Sequence, residues 1–182
     1  NGGSCTSINN GASYTCDCLF GYTGTNCDTR PATFPDTPGD TCADAIAVSN
    51  TLTSGTLQVS ITGNTTVANP STFTSSDGCV GSGSIASPDR YYMFTAPADG
   101  FLTVSLCDGS GLPNTFDSYL SFHSACPSVT SQNALVCNDD NCAGTYSALN
   151  HRWFASTTVI YVRVAGLGSS AYGNYIATFN FT

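Results

Sequence analysis

Ten cysteines constrain the fold of this chain more than any other feature of its 182 residues. Four lie within the first 28 residues and six lie between positions 42 and 142. An even count is typical of a disulfide framework made in an oxidising secretory compartment, whereas zinc ligation would need clusters that combine cysteine with histidine. We therefore predict an extracellular protein in which all of these are disulfide-bonded: Cys5, Cys16, Cys18, Cys27, Cys42, Cys79, Cys107, Cys126, Cys137 and Cys142.

The charged residues are few and of only two kinds. All twelve acidic residues are Asp, all four basic residues are Arg, and the net charge is −8. Glu and Lys are good helix formers, so their absence, together with 18 glycines, favours strands and turns. A negative chain lacks the basic surface that nucleic acids and anionic membranes need, and no run approaches the ~20 apolar residues of a membrane span. We expect neither kind of partner.

The first 28 residues carry a Cys16-Asp-Cys18 step with an aromatic residue two positions before it, and a Gly-Tyr-Thr-Gly run before Cys27. In these features residues 1–28 resemble the second half of an EGF-like module. The resemblance implies a small disulfide-rich module in which Cys18 pairs with Cys27. The first two of the family's six cysteines are missing here, so Cys5 and Cys16 pair either with each other or with cysteines upstream.

Four positions are candidate glycosylation sites. Asn64-Thr-Thr and Asn180-Phe-Thr are acceptor sequons for N-linked glycans. The EGF-like resemblance implies O-fucose at Ser4, directly before Cys5, and O-GlcNAc at Thr23; the alternative is that both hydroxyl groups are unmodified. Covalent N- and O-linked glycans would keep so weakly charged a surface soluble.

Beyond the first module, residues 29–41 contain three prolines and no periodicity, which predicts an extended linker. The domain that follows, residues 42–182, consists of short runs in which apolar and polar residues alternate between turn-forming residues. A turn or strand is expected at residues 43–48, and strands are predicted at 57–61, 90–95, 102–107, 116–122, 134–137, 158–164 and 175–181. Short strands at this spacing indicate an all-β sandwich or jelly roll.

This domain also carries six short motifs: residues 40–46 (DTCADAI), 90–94 (RYYMF), 116–120 (FDSYL), 138–140 (NDD), 161–164 (YVRV) and 173–175 (GNY). Together they resemble the bacterial pre-peptidase C-terminal domain and its cysteine-bearing relatives in secreted proteins. The resemblance implies a β-sandwich without catalytic activity that serves as an accessory, binding or surface-attachment module.

The six cysteines of the main domain allow fifteen pairings. Proximity along the chain favours Cys137 with Cys142 and Cys107 with Cys126. That choice leaves Cys42 with Cys79.

Calcium is the metal that the sequence favours. Oxygen ligands that suit Ca²⁺ are offered by Asp117, Asn138, Asp139 and Asp140, with Asp108 across a loop. The spacing does not match an EF-hand. The alternative is that these side chains only cap backbone groups in a disulfide-closed turn.

No catalytic constellation is evident in the sequence, and we predict that the chain is not an enzyme. His123 and His151 are the only histidines and lie at no metal-binding spacing, so we expect both to be solvent-facing residues at strand edges. Asp139 and Asp140 could in principle act as a carboxylate pair in general acid–base catalysis. They are adjacent, however, and adjacent side chains on a strand point apart, which argues against that role.

Aromatic residues are more numerous than charges, and five of them allow two interpretations. They could form a platform that stacks on sugars, or they could belong to the core, which is the more common role of aromatics on alternating strands. These residues are Tyr91, Tyr92, Trp153, Phe154 and Tyr161.

These features favour a non-catalytic extracellular structural or adhesive glycoprotein. One form of it would be the repeating subunit of a filament or surface appendage, assembled through the EGF-like piece, the linker and the sandwich, with copies of itself or other extracellular proteins as partners. The alternatives are a carbohydrate- or ligand-binding module that uses the 63–89 or 108–117 loop, and an accessory domain of a secreted hydrolase.

Overall fold

A computed structural model describes residues 3–8, 13–18, 22–29, 31, 34, 36–71, 87–107, 116–128, 134–142, 145–168 and 170–182. The chain forms two compact units, Asn1–Asp36 and Thr37–Thr182. The division falls within the segment predicted as a linker. Residues 37–41 belong to the second unit, where the Tyr91 N–H donates to the Gly39 carbonyl at 2.7 Å. No helix long and apolar enough for a membrane crossing is present in the described ranges.

The first unit is a disulfide-bonded hairpin followed by a tight turn. Strands β1 (Gly3–Ile8) and β2 (Ser13–Cys18) are antiparallel and place Cys5 directly opposite Cys16. These two cysteines are bonded, with Cα atoms 4.0 Å apart, and Cys18 is bonded to Cys27. The predicted Cys18–Cys27 pairing is therefore confirmed, and Cys5 pairs with Cys16 rather than with a cysteine upstream.

The turn before Cys27 needs left-handed backbone conformations. Gly24 has φ of 93° and Cys27 has φ of 53°, and the Cys27 N–H donates to the Gly24 carbonyl at 3.1 Å. Tyr22 and Phe34 are both buried, and their ring centroids lie 5.7 Å apart. Two disulfides and one aromatic contact thus stabilise a segment too short to bury a core of its own.

The second unit is a sandwich of two sheets, and the all-β fold class is confirmed. A five-stranded sheet has the order β3 (Ile46–Ala47), β5 (Asp89–Thr95), β10 (Val159–Gly166), β7 (Ser118–His123) and β8 (Ala134–Asn138). A four-stranded sheet has the order β4 (Leu57–Asn64), β11 (Asn174–Phe181), β6 (Gly100–Ser105) and β9 (Ala148–Phe154). All pairs are antiparallel except β3 with β5.

The core lies between the two sheets and is filled by alternate residues of each strand. Strand β10 contributes Ile160, Val162 and Val164, and β11 contributes Tyr175, Ala177, Phe179 and Phe181. The Phe179 ring centroid is 5.8 Å from that of Tyr92 and 6.5 Å from that of Phe94 on the facing sheet. The strands were predicted from apolar residues at every second position, and it is these alternate side chains that enter the core.

Strand β9, a seven-residue strand of the sandwich, was not predicted from the sequence pattern. Its register shifts against β6 between Leu102 and Val104, so Asn150 and His151 together oppose the single residue Thr103. His151 has φ of 47°, and its N–H donates to Thr103 Oγ1 at 3.1 Å. Such a bulge breaks the alternation of inward and outward residues, which is why no strand was evident.

All three disulfide pairings predicted for the second unit are wrong. Cys42 is bonded to Cys126 and Cys107 to Cys142, with Cα–Cα distances of 5.5 and 5.8 Å. Cys137 is also disulfide-bonded, to a cysteine outside the described residues. Cys79 is outside the described residues as well.

Proximity along the chain failed because strand connections carry neighbouring cysteines to different parts of the sandwich. Cys107 follows β6 in one sheet and Cys142 follows β8 in the other. Their disulfide therefore joins the two sheets, and such a crosslink stabilises chiefly by restricting the unfolded chain.

We expect the paired substitutions Cys107→Ser and Cys142→Ser to lower the free energy of unfolding by about 4 kcal/mol, because they remove a crosslink across 35 residues. Urea unfolding under non-reducing conditions measures this change. The matched control, Cys5→Ser with Cys16→Ser, alters only the first unit. An unchanged midpoint, or a peptide map that links Cys107 to another cysteine, would contradict this arrangement.

Candidate functional site

The side of the four-stranded sheet that faces away from the core, called here the outer face, is a candidate site because it combines polar side chains, both sequons and exposed aromatic residues. Alternation along the strands places on it the residues that do not enter the core. They are Gln58, Ser60, Thr62 and Asn64 of β4, Asn174, Ile176, Thr178 and Asn180 of β11, Phe101, Thr103 and Ser105 of β6, and His151 and Trp153 of β9. None of them is Asp or Arg, so the face is uncharged when histidine is neutral.

Side-chain hydrogen bonds run across the outer face between neighbouring strands. Asn64 Nδ2 donates to Asn174 Oδ1 at 2.6 Å, and the hydroxyl oxygens of Ser60 and Thr178 lie 3.1 Å apart. Cross-strand pairs of this kind fix side chains that would otherwise be mobile in water. These two pairs therefore hold some of the amides and hydroxyls of the face in a fixed arrangement.

Both N-glycosylation sequons project from this face. Asn64 is exposed at the end of β4, and its Oδ1 accepts a hydrogen bond from the Thr66 N–H at 2.5 Å, which forms an Asx turn. Asn180 is partly exposed on β11, opposite Gln58 on one side and Thr103 on the other. The sequence identified each sequon but not their placement on one face.

An aromatic patch lies beside Asn180. Phe101 and Trp153 are directly opposite each other on β6 and β9 and are 43% and 53% exposed. The His151 ring is edge-on to Phe101, with centroids 6.1 Å apart. The sequence could have indicated the exposure of Phe101. In the alternating run that begins at Leu102, Phe101 falls on the same side of the strand as the polar residues Thr103 and Ser105.

Most of the aromatic residues considered for a sugar platform lie elsewhere. Tyr91, Tyr92 and Phe154 are buried, and Tyr161 lies on the five-stranded sheet, half-buried. Of the five, Trp153 alone is exposed. The core interpretation is therefore right for Tyr92 and Phe154, which belong to the inter-sheet cluster, and wrong for Trp153.

The predicted calcium ligands are only partly brought together. Burial raises the pKa of Asp117, and the nearby Asp140 and Asp139 carboxylates raise it further. The buried oxygens Asp117 Oδ1 and Asn138 Oδ1 accept no hydrogen bond from the residues that the structure describes. Their oxygen chemistry fits Ca²⁺.

One observation counts against a complete calcium site among the described residues. Within the described ranges, no three or more Asp, Glu, His or Cys side chains are grouped so that they could hold a metal ion. Asp108 lies outside the described residues. Calcium binding remains a prediction.

Part of the side of the five-stranded sheet that faces away from the core is buried and polar. Arg163 Nε donates to Asp89 Oδ2 at 2.5 Å, and both side chains have no exposed surface. The Arg163 guanidinium also lies over the Tyr119 ring, 6.0 Å from its centroid. Burying this pair removed two charges from water, so the pairing must be kept for the fold to be stable.

The two histidines differ in their surroundings. His123 was expected to face solvent and is instead fully buried, with Nε2 2.8 Å from Ser121 Oγ on the same strand. His123 lies on the side of β7 that faces away from the core, and it is buried because both sides of this strand are covered, which no pattern of alternation can indicate. His151 is exposed, as predicted.

A cavity of about 240 Å³ lies at one end of the sandwich, between β4, β5 and β11. Arg90, the one charged residue among the described residues of its lining, donates to the carbonyls of Asn64, Thr37 and Pro38 and lies 3.7 Å from Asp40. Because protein groups already surround the guanidinium, it stabilises the start of the unit and is poorly placed to bind an anion.

The candidate O-glycosylation sites of the first unit, Ser4 and Thr23, are both exposed. Thr23 exchanges two backbone hydrogen bonds of 2.9 Å with Thr29, which leave its hydroxyl group at the surface. Modification of either residue remains a prediction.

No family model matches the chain, and no curated protein matches it. Among solved structures, it is similar to the pre-peptidase C-terminal domain of collagenase from Bacillus anthracis, with a TM-score of 0.39 and 15% identity over 74% of this chain and 93% of that one. It is also similar to PliG from Aeromonas hydrophila, a periplasmic lysozyme inhibitor of g-type lysozyme, with a TM-score of 0.41 and 11% identity over 76% and 94%. The EGF-like resemblance of the first unit stays a prediction.

We expect Asp117→Asn to raise the urea midpoint at pH 7 in the presence of a chelator. A raised pKa means that the Asp117 carboxylate is less favourable in the folded chain than in the unfolded chain. This penalty is absent at low pH, where both states are protonated, and appears as the pH rises through the raised pKa. The gain should therefore disappear near pH 3.

Calcium should reverse that order if it binds between Asp117 and Asn138. Millimolar CaCl₂ would then raise the thermal midpoint of the unsubstituted chain more than that of the Asp117→Asn variant. MgCl₂ at the same ionic strength is the control for screening. Equal shifts in both proteins would exclude a site at Asp117.

We expect Arg163→Leu to cost about 3 to 5 kcal/mol of stability, because it leaves Asp89 buried without its cation. Adding Asp89→Asn to the same chain should recover part of the loss. The exposed Arg152→Leu is the matched control and should change the urea unfolding free energy by less than about 0.5 kcal/mol. Equal losses for Arg163→Leu and Arg152→Leu would show that the ion pair has no such role.

Proposed function

We propose that this chain is a non-catalytic extracellular structural glycoprotein whose sandwich carries N-linked glycans on the outer face. The observation that carries this proposal is the projection of both sequons, at Asn64 and Asn180, from one side of one sheet. The disulfides indicate an oxidising location outside the cytoplasm, extracellular or periplasmic.

The surroundings of the sequons support a glycan-bearing role. The outer face has no Asp or Arg to hydrate it, and surfaces without charge depend on other hydrophilic groups to prevent association. Glycans on Asn64 and Asn180 would supply such groups. The ordered hydroxyls and amides around the two attachment points would contact the sugars without competing charges.

The non-catalytic part of the proposal rests on where the reactive groups lie. Asp89, Arg163 and His123 are sealed from solvent, and a substrate could not reach them. The exposed His151 neighbours an aromatic ring and a strand bulge. Acid–base catalysis needs a titratable group within hydrogen-bond reach of substrate, and the buried Asp89 and His123 do not meet this requirement.

Glycopeptide mass spectrometry of the native protein tests the proposal, with glycans expected at Asn64 and Asn180. Asn64→Gln and Asn180→Gln should each remove one glycan and together increase aggregation. Asn50→Gln, an exposed asparagine outside any sequon, is the matched control. Unmodified Asn64 and Asn180 in the native protein would refute the glycan-bearing face.

The finer proposal is that copies of the chain assemble into a filament. Among the described strands β4 pairs with β11 alone, and its eight residues include no charge and no proline. Charges and prolines normally guard exposed edges against pairing with another chain. An open edge of this length and composition is suited to strand addition between subunits.

The ladder with β11 shows which groups face the open side of β4. The Thr65 N–H donates to the Gly173 carbonyl at 2.9 Å, so by alternation Ile61 and Gly63 bond to β11. Ser60 and Thr62 then direct their backbone N–H and C=O groups away from β11. A second chain would bond to those groups.

Thr62→Pro should therefore block assembly while the sandwich stays folded, since it removes an N–H that β11 does not use. Thr62→Val retains that N–H and is the control. Sedimentation and electron microscopy at high concentration compare the three chains. A monomeric unsubstituted chain without fibres would refute the filament, and assembly of the Thr62→Pro chain would exclude this edge.

A further inference from the structure

Phe101 and Trp153 form an exposed aromatic pair whose position the proposed function does not explain. They face each other on β6 and β9 and are 43% and 53% exposed, whereas most aromatic side chains of the sandwich are buried. Neither residue contributes to the inter-sheet core. Two large exposed rings on opposite residues of neighbouring strands form an apolar patch of the kind that marks contact sites.

Register places this pair next to one of the two sequons. Asn180 of β11 is opposite Thr103 of β6, and Phe101 is the next residue of β6 on the same face. The Phe101 N–H donates to the Thr182 carbonyl at 2.8 Å, and the Thr182 N–H donates back at 3.1 Å. Asn180 and Phe101 are therefore diagonal neighbours, a relation that spans about 7 to 8 Å.

We propose that Phe101 and Trp153 are the stacking surface for the first sugars of the N-linked glycan on Asn180. This inference rests on the proposed glycan-bearing face. A pyranose ring has one side formed by C–H groups, and the electron-rich face of an aromatic ring attracts such groups. The diagonal separation is about the reach of an asparagine side chain plus one sugar.

The arrangement of β9 supports this assignment. The bulge at His151 is fixed by the bond from its N–H to Thr103 Oγ1, and it brings the His151 ring edge-on to Phe101. His151 thereby supports one side of Phe101 while Trp153 extends the surface on the other strand. The aromatic surface is thus held in place before a sugar arrives, which lowers the entropy lost on contact.

The other sequon provides an internal comparison. Asn64 is opposite Asn174, six residues along β11 from Asn180, which corresponds to about 20 Å of extended strand. A glycan on Asn64 begins too far away for its first sugars to reach the aromatic pair. Only the Asn180 glycan should contact Trp153.

Trp153 is the only tryptophan of the chain, so its fluorescence reports on this surface alone. The experiment uses the full chain from a secretory host, with occupancy of each sequon measured by mass spectrometry. Thr182→Ala removes the Asn180 sequon and leaves the aromatic pair intact, and Thr66→Ala does the same for Asn64. Acrylamide quenching measures the exposure of the indole in each protein.

We expect the Asn180 glycan to lower the quenching constant of Trp153 about twofold, because one face of the indole becomes covered. Thr182→Ala should abolish this protection, Thr66→Ala should not, and trimming to a single N-acetylglucosamine should retain most of it. Phe101→Ala, an exposed substitution, should weaken the protection while Asn180 stays glycosylated.

Equal quenching with and without an occupied Asn180 would overturn the stacking proposal and leave the glycoprotein proposal intact. An unmodified Asn180 would overturn both for this sequon. Protection by added chitotriose in the Thr182→Ala chain, without protection by the attached glycan, would also overturn it and make the pair a site for external sugar.

Discussion

The mutual burial of the inner faces of two sheets is the interaction on which the second unit depends. Phe179 and Phe181 of β11 pack against Tyr92 and Phe94 of β5, with ring centroids between 5.6 and 6.5 Å apart. A buried aromatic side chain contributes several times the stabilisation of a surface contact, about 3 to 5 kcal/mol by truncation. The strands are held in register because a slip of one residue would turn these rings toward solvent.

Each sheet has one side in the core and one side that faces away from it. The two sides that face away from the core differ between the sheets. On the five-stranded sheet part of that side is covered, and Arg163 and Asp89 are paired there without access to water. On the four-stranded sheet it is open and carries Asn180, Phe101 and Trp153. Among the surfaces of the described residues, the outer face and the edge of β4 are therefore the ones we consider for contact with sugars or other proteins.

The disulfides complement this division by linking parts that the sheets alone do not join. Cys107–Cys142 connects the ends of strands in opposite sheets, and Cys42–Cys126 ties the start of the unit to the loop after β7 across 84 residues. A chain with so few charges has little scope for surface ion pairs, so covalent links carry more of the stability. In the first unit, which lacks a core, they are the main constraint.

Much of the strand framework could be predicted because burial on one side imposes a period of two on the sequence. The residue ranges for β5, β10 and β11 follow from that period. Strand β9 could not be predicted, since the bulge at His151 moves its inward residues out of phase. The burial of His123 was equally hidden, because a strand covered on both sides shows no contrast between its faces.

The candidate site divides in the same way. Local motifs were enough to identify Asn64, Asn180, Ser4 and Thr23 as possible glycan acceptors, since an acceptor sequon is a matter of adjacent residues. No local sequence motif indicated that Asn180 lies beside Phe101 and Trp153, because these three residues are on three different strands.

The sequence by itself thus determined an oxidised, weakly charged, all-β chain and the chemistry available along it. The tertiary structure alone decided which cysteines pair, which aromatic residues remain exposed, and that both sequons share one face. The physical reason is that alternation and composition depend on neighbours in the chain, whereas pairing and exposure depend on strand order and register, which bring together residues far apart in sequence.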